Sequence, residues 1–229
     1  RAVALALGRE GVGVVVHYRS SREDAEALCA ELRAVGVPAW PLQADLACPE
    51  EAEQVVERAI ALAGTLDILV NNASAFDPSR LEDVTFGQLC EQTALNAWAP
   101  FVLGRAFAAQ GRPGSIVNLL DARLEGYDWG HVAYILSKHL LAVLTRMTAL
   151  EYAPLVRVNA VAPGLVLAPP GEDPTLVERL AGTVPLKRHG TEEDVARAVM
   201  FLLTSPFITG QVIYVDGGVH LRRGPGRHP

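Results

Sequence analysis

Tyr134 and Lys138 stand four residues apart in a segment whose apolar residues recur with the period of an α-helix. Residues at i and i+4 lie on the same helix face, so the phenol and the ammonium group are neighbours. A nearby cation favours the phenolate and lowers the pKa of a tyrosine from about 10. The pair suits proton transfer near neutral pH, although this spacing by itself also occurs on helices without any chemistry.

A carboxylate, Asp121, precedes Tyr134 by 13 residues and follows the apolar run 115–120, which predicts a buried strand. If it lies near Tyr134, an ionised carboxylate keeps the phenol protonated and opposes Lys138. A tyrosine that holds its proton favours donating it to a ring nitrogen over removing one from an alcohol. The pair therefore indicates a reduction, and the alternative is an aspartate that only caps a turn.

The elements that position these residues alternate between strand and helix. Apolar runs predict strands at 12–18, 39–45, 66–70, 115–120, 156–161 and 212–215. Helical patterns and caps predict helices at 1–11, 20–34, 49–63, 86–110, 134–150, 175–181 and 191–203, with a proline-rich loop at 169–174. Strands that are apolar throughout predict a parallel sheet covered by helices on both faces. We expect one α/β domain over residues 1–229, a Rossmann-type doubly wound sheet.

Ligands of such sheets bind beyond the carboxyl ends of the strands. The polar residues and turn residues at these ends are therefore expected to form one site: Tyr18, Arg19, Asp45, Asn71, Ser74, Asp121, Pro163 and Gly164.

The order of the first two elements, a helix and then a strand, is unusual for this fold, which opens with a strand and a glycine-rich phosphate loop. We expect a preceding strand and loop of about a dozen residues or more, because 1–11 resembles the helix that follows them.

Composition narrows the function. The 229 residues are 50% hydrophobic, enough for one large core, and the net charge of -6 argues against a nucleic-acid surface. There is no apolar run of membrane-spanning length and no metal-ligand spacing. The three cysteines are far apart, which favours reduced thiols and a cytoplasmic location.

Several motifs, taken in this order, resemble the short-chain dehydrogenase/reductase family. Asn71-Asn72-Ala73-Ser74 is similar to its Asn-Asn-Ala-Gly motif and Asp45-Leu46 to its adenine-contacting pair. The resemblance implies that Asn96 completes a proton relay to solvent through water, beside Tyr134 and Lys138. It also implies that the loop Pro163-Gly164-Leu165-Val166 holds the nicotinamide, and Asp216-Gly217-Gly218 closes the last strand as in the family. The family carries serine where this chain has Asp121.

Within the family the chain most resembles the pteridine reductases. The strand end His17-Tyr18-Arg19-Ser20-Ser21 is similar to their clamp for the 2′-phosphate of NADPH. A guanidinium and hydroxyl donors suit a phosphate, and no acid stands between residues 12 and 21 to hold the ribose of NAD. The alternative is a solvated arginine in a turn.

The segment from Asn72 to Phe76 resembles the one whose phenylalanine stacks on a pterin opposite the nicotinamide. The resemblance implies that Ser74, Phe76, Asp121 and Tyr134 bind the substrate, and that Asp121 replaces the usual serine. Phe76 can equally be a core residue beneath the loop.

We expect an NADPH-dependent reductase of a pterin or dihydrofolate-like ring, with Tyr134 and Asp121 supplying the proton. The alternatives are a ketoacyl or sugar-type carbonyl reductase and a non-catalytic dinucleotide-binding sensor. The resemblance implies a homotetramer with the 86–110 and Tyr134 helices at an interface, where Ala97, Ala106, Ala133 and Ala142 permit close packing. The tail 218–229 is expected to be flexible or to lie at a subunit interface.

Overall fold

Six parallel strands carry the fold. The computed structural model describes residues 1–168, 172–173 and 175–222. Within them, β1 and β2 form one sheet, and β3, β4, β5 and β6 form a second in that order. The strands are β1 Val14–Tyr18, β2 Ala39–Gln43, β3 Ile68–Asn71, β4 Gly114–Leu119, β5 Val156–Pro163 and β6 Val212–Val215. The expected parallel α/β architecture is confirmed.

The single continuous sheet that was expected is divided among these residues, because β1 and β3 do not pair with each other. Every residue of β1 is only half-buried, as are Ile68, Leu69 and Val70 in β3. By contrast, the central strands β4 and β5 are almost wholly buried, as strands covered on both faces should be.

Eight α-helices lie between and around these strands in the described ranges. They are α1 Ala2–Arg9, α2 Arg22–Ala34, α3 Pro49–Ala63, α4 Phe86–Thr93, α5 Ala99–Ala108, α6 Val132–Glu151, α7 Leu176–Ala181 and α8 Glu192–Thr204. Their beginnings follow from local chemistry. Pro49 starts α3 with two glutamates in the first turn, and Thr85 and Thr191 form capping boxes with Gln88 and Asp194.

The helix expected over 86–110 is interrupted. A π-helical turn at Ala94–Trp98 separates α4 from α5, and the backbone N–H of Ala99 bonds to the carbonyl of Ala94, five residues back. Pro100 has no N–H, so it cannot make the bond to the Asn96 carbonyl that a regular α-helix requires. The π-turn places Asn96 in the buried interior.

Two short 3₁₀ turns were not predicted. The first, Ala122–Glu125, follows Asp121, and the second, Val219–Leu221, follows β6. Tyr214, at the end of β6, joins the two regions, because its hydroxyl donates to Glu125 Oε1 at 2.7 Å. Residues 218–222 of the tail, which was expected to be flexible or to lie at a subunit interface, are within the described part of the chain and contain the second turn. Residues 223–229 and most of the proline-rich loop lie outside the described residues.

Candidate active site

Tyr134 and Asp121 are brought together as predicted. Tyr134 lies in the first turn of α6, and Asp121 follows β4 with one residue between. The phenol donates a hydrogen bond to Asp121 Oδ2 at 2.8 Å, and the other carboxylate oxygen accepts the backbone N–H of Arg123 at 2.8 Å. The second bond fixes the direction of the carboxylate, so Asp121 presents an acceptor to the phenol.

Burial raises the pKa of Tyr134 well above its usual range, and the Asp121 carboxylate raises it further by its charge and its hydrogen bond. From the sequence we expected Asp121 and Lys138 to have opposing effects on the pKa of Tyr134. In the structure the effect of Asp121 is the larger one. The phenol is therefore held in its protonated form, ready to donate.

Lys138 is buried one helical turn beyond Tyr134. Its Nζ donates to the carbonyl of Leu119 at 2.9 Å and lies 5.7 Å from the centre of the Tyr134 ring. Burial lowers the pKa of Lys138 to about 8, against the opposing effect of Asp121. Within the described part of the chain, Leu119 supplies the one hydrogen bond to this group, which has three N–H donors when protonated. Two donors remain for a ligand.

The side chain of Asn96 is fully buried and makes five hydrogen bonds. Its Oδ1 accepts from Ser74 Oγ at 2.9 Å and from the Ala75 N–H at 3.0 Å. Its Nδ2 donates to the Ala75 carbonyl, to Gln92 Oε1 and to Ser137 Oγ at 2.9–3.1 Å. These bonds use both donors and both acceptor positions of the side-chain amide, and they hold the Ser74–Ala75 loop. The expected relay to solvent at Asn96 stays a prediction.

A line of buried polar groups ties the strand ends to α6. Asn71 Nδ2 donates to Asn118 Oδ1 at 2.8 Å, and Asn118 Nδ2 donates to Thr145 Oγ1 at 2.8 Å. Asn71 and Asn118 are register partners on β3 and β4. Buried amides that lose such partners are costly, so this line fixes α6, and with it Tyr134, relative to the ends of the strands.

Phe76 lies against Tyr134, as a substrate-site role requires. The edge of one ring meets the face of the other, with ring centres 4.7 Å apart and planes at 86°. The imidazole of His131 stacks on Phe76 at 3.8 Å, and the guanidinium carbon of Arg123 lies 4.8 Å from the Phe76 ring centre. Phe76 is half-buried, and its role in binding a substrate stays a prediction.

Asp128 organises the turn before α6. Its Oδ1 accepts the backbone N–H groups of Gly130 and His131 at 2.9 and 3.1 Å, and its Oδ2 pairs with Arg123 Nη1 at 2.8 Å. Burial alone raises the pKa of Asp128, but Arg123 and His131 outweigh it and hold the pKa below its ordinary value. Asp128 is therefore a fixed anion beside the site.

The predicted phosphate clamp lies at the end of β1. Arg19, Ser20 and Ser21 are exposed and come directly after Tyr18. His17, which was predicted with them, bonds through Nε2 to the Ala44 carbonyl at 2.9 Å, and burial lowers its pKa. The imidazole thus joins β1 to the residue that follows β2, and its role in cofactor binding stays a prediction.

The remaining predicted cofactor residues lie at the ends of the next strands. Asp45 follows β2, and its Oδ1 accepts the Ala47 N–H at 2.9 Å, while Leu46 is buried in the core. Asn72 and Ser74 are exposed and Ala73 is half-buried directly after β3.

Gly164 directly follows β5 and lies against Asp216. A Cβ on Gly164 would lie 2.6 Å from the Asp216 Cβ and 2.8 Å from its Cα, so only glycine fits. Asp216 in turn accepts the Gly218 N–H and both the backbone and ring N–H of His220. The loop continues through Leu165, whose carbonyl accepts the Gly190 N–H at 2.8 Å, and through half-buried Val166.

The donor set at this edge of the sheets fits NADPH. Arg19 with two exposed serines suits a 2′-phosphate, and the free N–H donors of Lys138 suit ribose hydroxyls. Pro163 and Gly164 end β5 at the same edge, next to the strand that leads to Asp121.

Sequence reasoning missed His131, Asp128 and Arg123. All three stand between Asp121 and Tyr134, in a loop rich in aromatic and charged residues. This composition was the signal that could have revealed them, because an ordinary connection to a helix needs neither aromatic nor charged residues.

No helix in the described residues has the length and hydropathy to cross a membrane. The same residues contain no cluster of three or more metal-ligating side chains.

A family model described as enoyl-(acyl carrier protein) reductase matches residues 1–220. The chain is 31% identical over 229 residues to the 3-oxoacyl-[acyl-carrier-protein] reductase FabG of Staphylococcus aureus, covering 96% of this chain and 93% of that protein. It is 34% identical over 231 residues to the granaticin polyketide synthase putative ketoacyl reductase 2 of Streptomyces violaceoruber, covering 96% and 91%.

The solved structures similar to this chain include FolM alternative dihydrofolate reductase 1 from Brucella canis, complexed with NADP. The TM-score is 0.90 at 30% identity, covering 100% of this chain and 92% of that one. The protein of the same name from Brucella suis, also with NADP, gives 0.88 at 30% identity, covering 96% and 90%. Because the matching proteins are named as reductases, the matches argue against the alternative of a non-catalytic dinucleotide-binding sensor. The chain belongs to the short-chain dehydrogenase/reductase family and is an NADPH-dependent oxidoreductase.

Proposed function

We propose that the protein reduces the ring of a pterin or a dihydrofolate-like compound. The observation that carries this proposal is the 2.8 Å hydrogen bond from Tyr134 to Asp121 beside the aromatic ring of Phe76. A tyrosine kept protonated next to an aromatic wall suits a flat heterocycle that accepts a proton at nitrogen. The two FolM structures, named as dihydrofolate reductases, support the same substrate class.

The roles of the residues follow from their geometry. When bound, NADPH supplies the hydride. Tyr134 donates the proton from its hydroxyl, and Asp121 holds and orients that hydroxyl. Lys138 binds the ribose through its free N–H donors, and Arg19 binds the 2′-phosphate. Phe76 stacks on the substrate ring, and Ser74, anchored to Asn96, fixes the loop that carries it.

A carbonyl reductase is the second candidate, favoured by the names of the curated relatives. An oxoacyl substrate needs the same tyrosine but no flat aromatic wall. The two candidates therefore differ in what they require of Phe76.

NADPH oxidation over a panel of a dihydropterin, dihydrofolate and an acetoacetyl thioester separates the candidates. We expect turnover of the first two. Turnover of the thioester with none of either heterocycle would overturn the pterin proposal in favour of the carbonyl one. Tyr134→Phe is the control for a real active site, since loss of a general acid costs about 10²- to 10⁴-fold in rate.

Phe76→Ala tests the wall itself. Aromatic stacking contributes about 0.5–1.5 kcal/mol beyond burial, so the KM for dihydropterin should rise about two- to tenfold while NADPH binding stays unchanged. Phe207→Ala is the matched control, because Phe207 is fully exposed elsewhere on the surface. An unchanged KM in Phe76→Ala contradicts the stacking role.

We also propose that the protein is a homotetramer. One face of α6 is apolar yet exposed, and its residues recur every three or four positions: Leu136, Leu140, Val143, Met147 and Leu150. Phe86 and Trp98 are exposed on the neighbouring helix. The small residues Ala97, Ala133 and Ala142, expected at this interface, are instead buried inside the protomer. These side chains already pack against other residues of the same protomer.

Light scattering after size-exclusion chromatography tests the tetramer. Leu140→Glu with Met147→Glu should reduce the mass, because two charges would be buried in an apolar contact. Leu62→Glu, on an exposed leucine of α3, is the control. A monomeric wild-type protein refutes the proposal.

A further inference from the structure

His131 covers one face of Phe76. The two rings are nearly parallel, with an interplanar angle of 17° and centres 3.8 Å apart. At this separation the ring faces are in van der Waals contact. One face of the aromatic wall is thus already occupied by a side chain of the protein.

Asp128 fixes the imidazole in this position. His131 Nδ1 lies 3.1 Å from Asp128 Oδ2 and 3.2 Å from Oδ1, so this nitrogen carries the hydrogen in the bond. Asp128 is itself held by two backbone N–H groups and by Arg123. A carboxylate so constrained sets both the tautomer and the direction of the ring that it binds.

Phe76 is therefore held by three side chains. His131 lies over its face, the Tyr134 ring meets it at 86°, and the Arg123 guanidinium lies 4.8 Å from its centre. Arg123 also bonds to the same Asp128 oxygen that contacts His131, so the stack and the ion pair share one anchor. The segment from Asn72 to Pro78 forms no helix or strand, and its backbone next to Phe76 is held by the two bonds between Ala75 and Asn96.

We propose that Asp128 and His131 are positioning residues that hold Phe76 as a rigid wall and thereby determine the preference for flat-ring substrates. This inference rests on the proposed function. A wall fixed before binding loses less conformational entropy when a ring stacks against it. Without His131, one face of Phe76 is open and its side chain gains rotamers, so the flat substrate binds more weakly while the cofactor does not.

The test compares His131→Ala, His131→Phe and Asp128→Asn, with KM and kcat for dihydropterin and the Kd of NADPH measured for each. We expect His131→Ala to raise the KM about two- to tenfold, the range of one aromatic stacking contact, without changing the Kd of NADPH. His131→Phe keeps a ring on Phe76 and should restore the KM. Asp128→Asn should raise the KM when His131 is present and have less effect beside His131→Phe.

The control is His139→Ala, which changes an exposed histidine in α6, the helix that begins directly after His131. An unchanged KM in His131→Ala, or an equal rise in the Kd of NADPH, overturns the positioning role. Failure of His131→Phe to restore the KM also overturns it, because the stack would not be the cause. If His131→Ala does not fold, Asp128→Asn decides by the same KM criterion. Absence of dihydropterin turnover in the wild-type protein overturns the proposed function instead, so the two failures are distinguishable.

Discussion

Replacement of Asp121 by serine should make turnover sensitive to alkaline pH. The carboxylate accepts the Tyr134 hydroxyl at 2.8 Å and raises the pKa of that phenol in addition to the effect of burial. Removing a negative charge that raises a pKa lets the proton leave at lower pH. The variant should therefore lose its protonated tyrosine earlier than the wild-type enzyme as the pH rises.

The size of the change in the Tyr134 pKa follows from the hydrogen bond that the variant loses. A hydrogen bond to a charged group contributes about 1.5–3 kcal/mol, which is about a tenfold to hundredfold change in the protonation equilibrium of the phenol. Burial still favours the protonated phenol in the variant, so the loss of activity should be small near neutral pH. It should grow steadily on the alkaline side.

The assay is dihydropterin turnover at saturating NADPH from about pH 6 up to the most alkaline pH at which circular dichroism shows the fold intact, because the pKa of Tyr134 lies well above the ordinary value of about 10. Asp121→Asn is the second variant, since it keeps the shape and removes the charge. Tyr134→Phe with and without Asp121→Ser completes a double-mutant cycle, in which the second change should have little further effect. A ratio of wild-type to variant activity that stays constant across this range would falsify the view that Asp121 acts through the proton of Tyr134.

Three further changes test other parts of the site. Arg19→Ala should weaken NADPH binding about tenfold to a hundredfold and leave NADH unaffected, measured by fluorescence titration; equal losses for both cofactors contradict a phosphate clamp. The affinity for NADPH should fall as the pH rises through about 8, where Lys138 loses its charge. The Lys138→Arg variant should show no such fall. A wild-type affinity that does not change with pH contradicts the role of Lys138 in binding NADPH. Gly164→Ala should destabilise the protein by about 1–3 kcal/mol in urea unfolding because its Cβ would overlap Asp216. The control is Gly182→Ala, where a Cβ meets no atom within 4 Å, and equal stabilities of the two variants refute the steric argument.

Much of the fold was predictable because its signals are local. Pro49 with its glutamates marked α3, and the Thr191 capping box marked α8, in agreement with the structure. The π-turn was not predictable from periodicity, since Leu95 and Trp98 continue an ordinary helical pattern. Its causes are the missing N–H of Pro100 and the four bonds of the Asn96 side chain to Ser74, Ala75 and Ser137. These four bonds exist only after folding.

The candidate site likewise contains residues that the sequence predicts and residues that it does not. The spacing of Tyr134 and Lys138 on one helix and the strand before Asp121 sufficed to bring these residues together, because both follow from regular secondary structure. The contacts of His131 with Phe76 join two irregular loops that are far apart in sequence. No periodicity specifies such a contact. For the same reason the sequence did not reveal the five hydrogen bonds of the Asn96 side chain.

The π-turn at Ala94–Trp98 holds one residue more than an α-helical turn and absorbs it locally. The residues that follow therefore keep the face that they would present in a regular helix, and Val102, Leu103 and Phe107 stay buried. Deleting one residue there should leave this buried face in place. Its effect should fall on Asn96, whose bonds to Ser74 and Ala75 depend on its position within the turn.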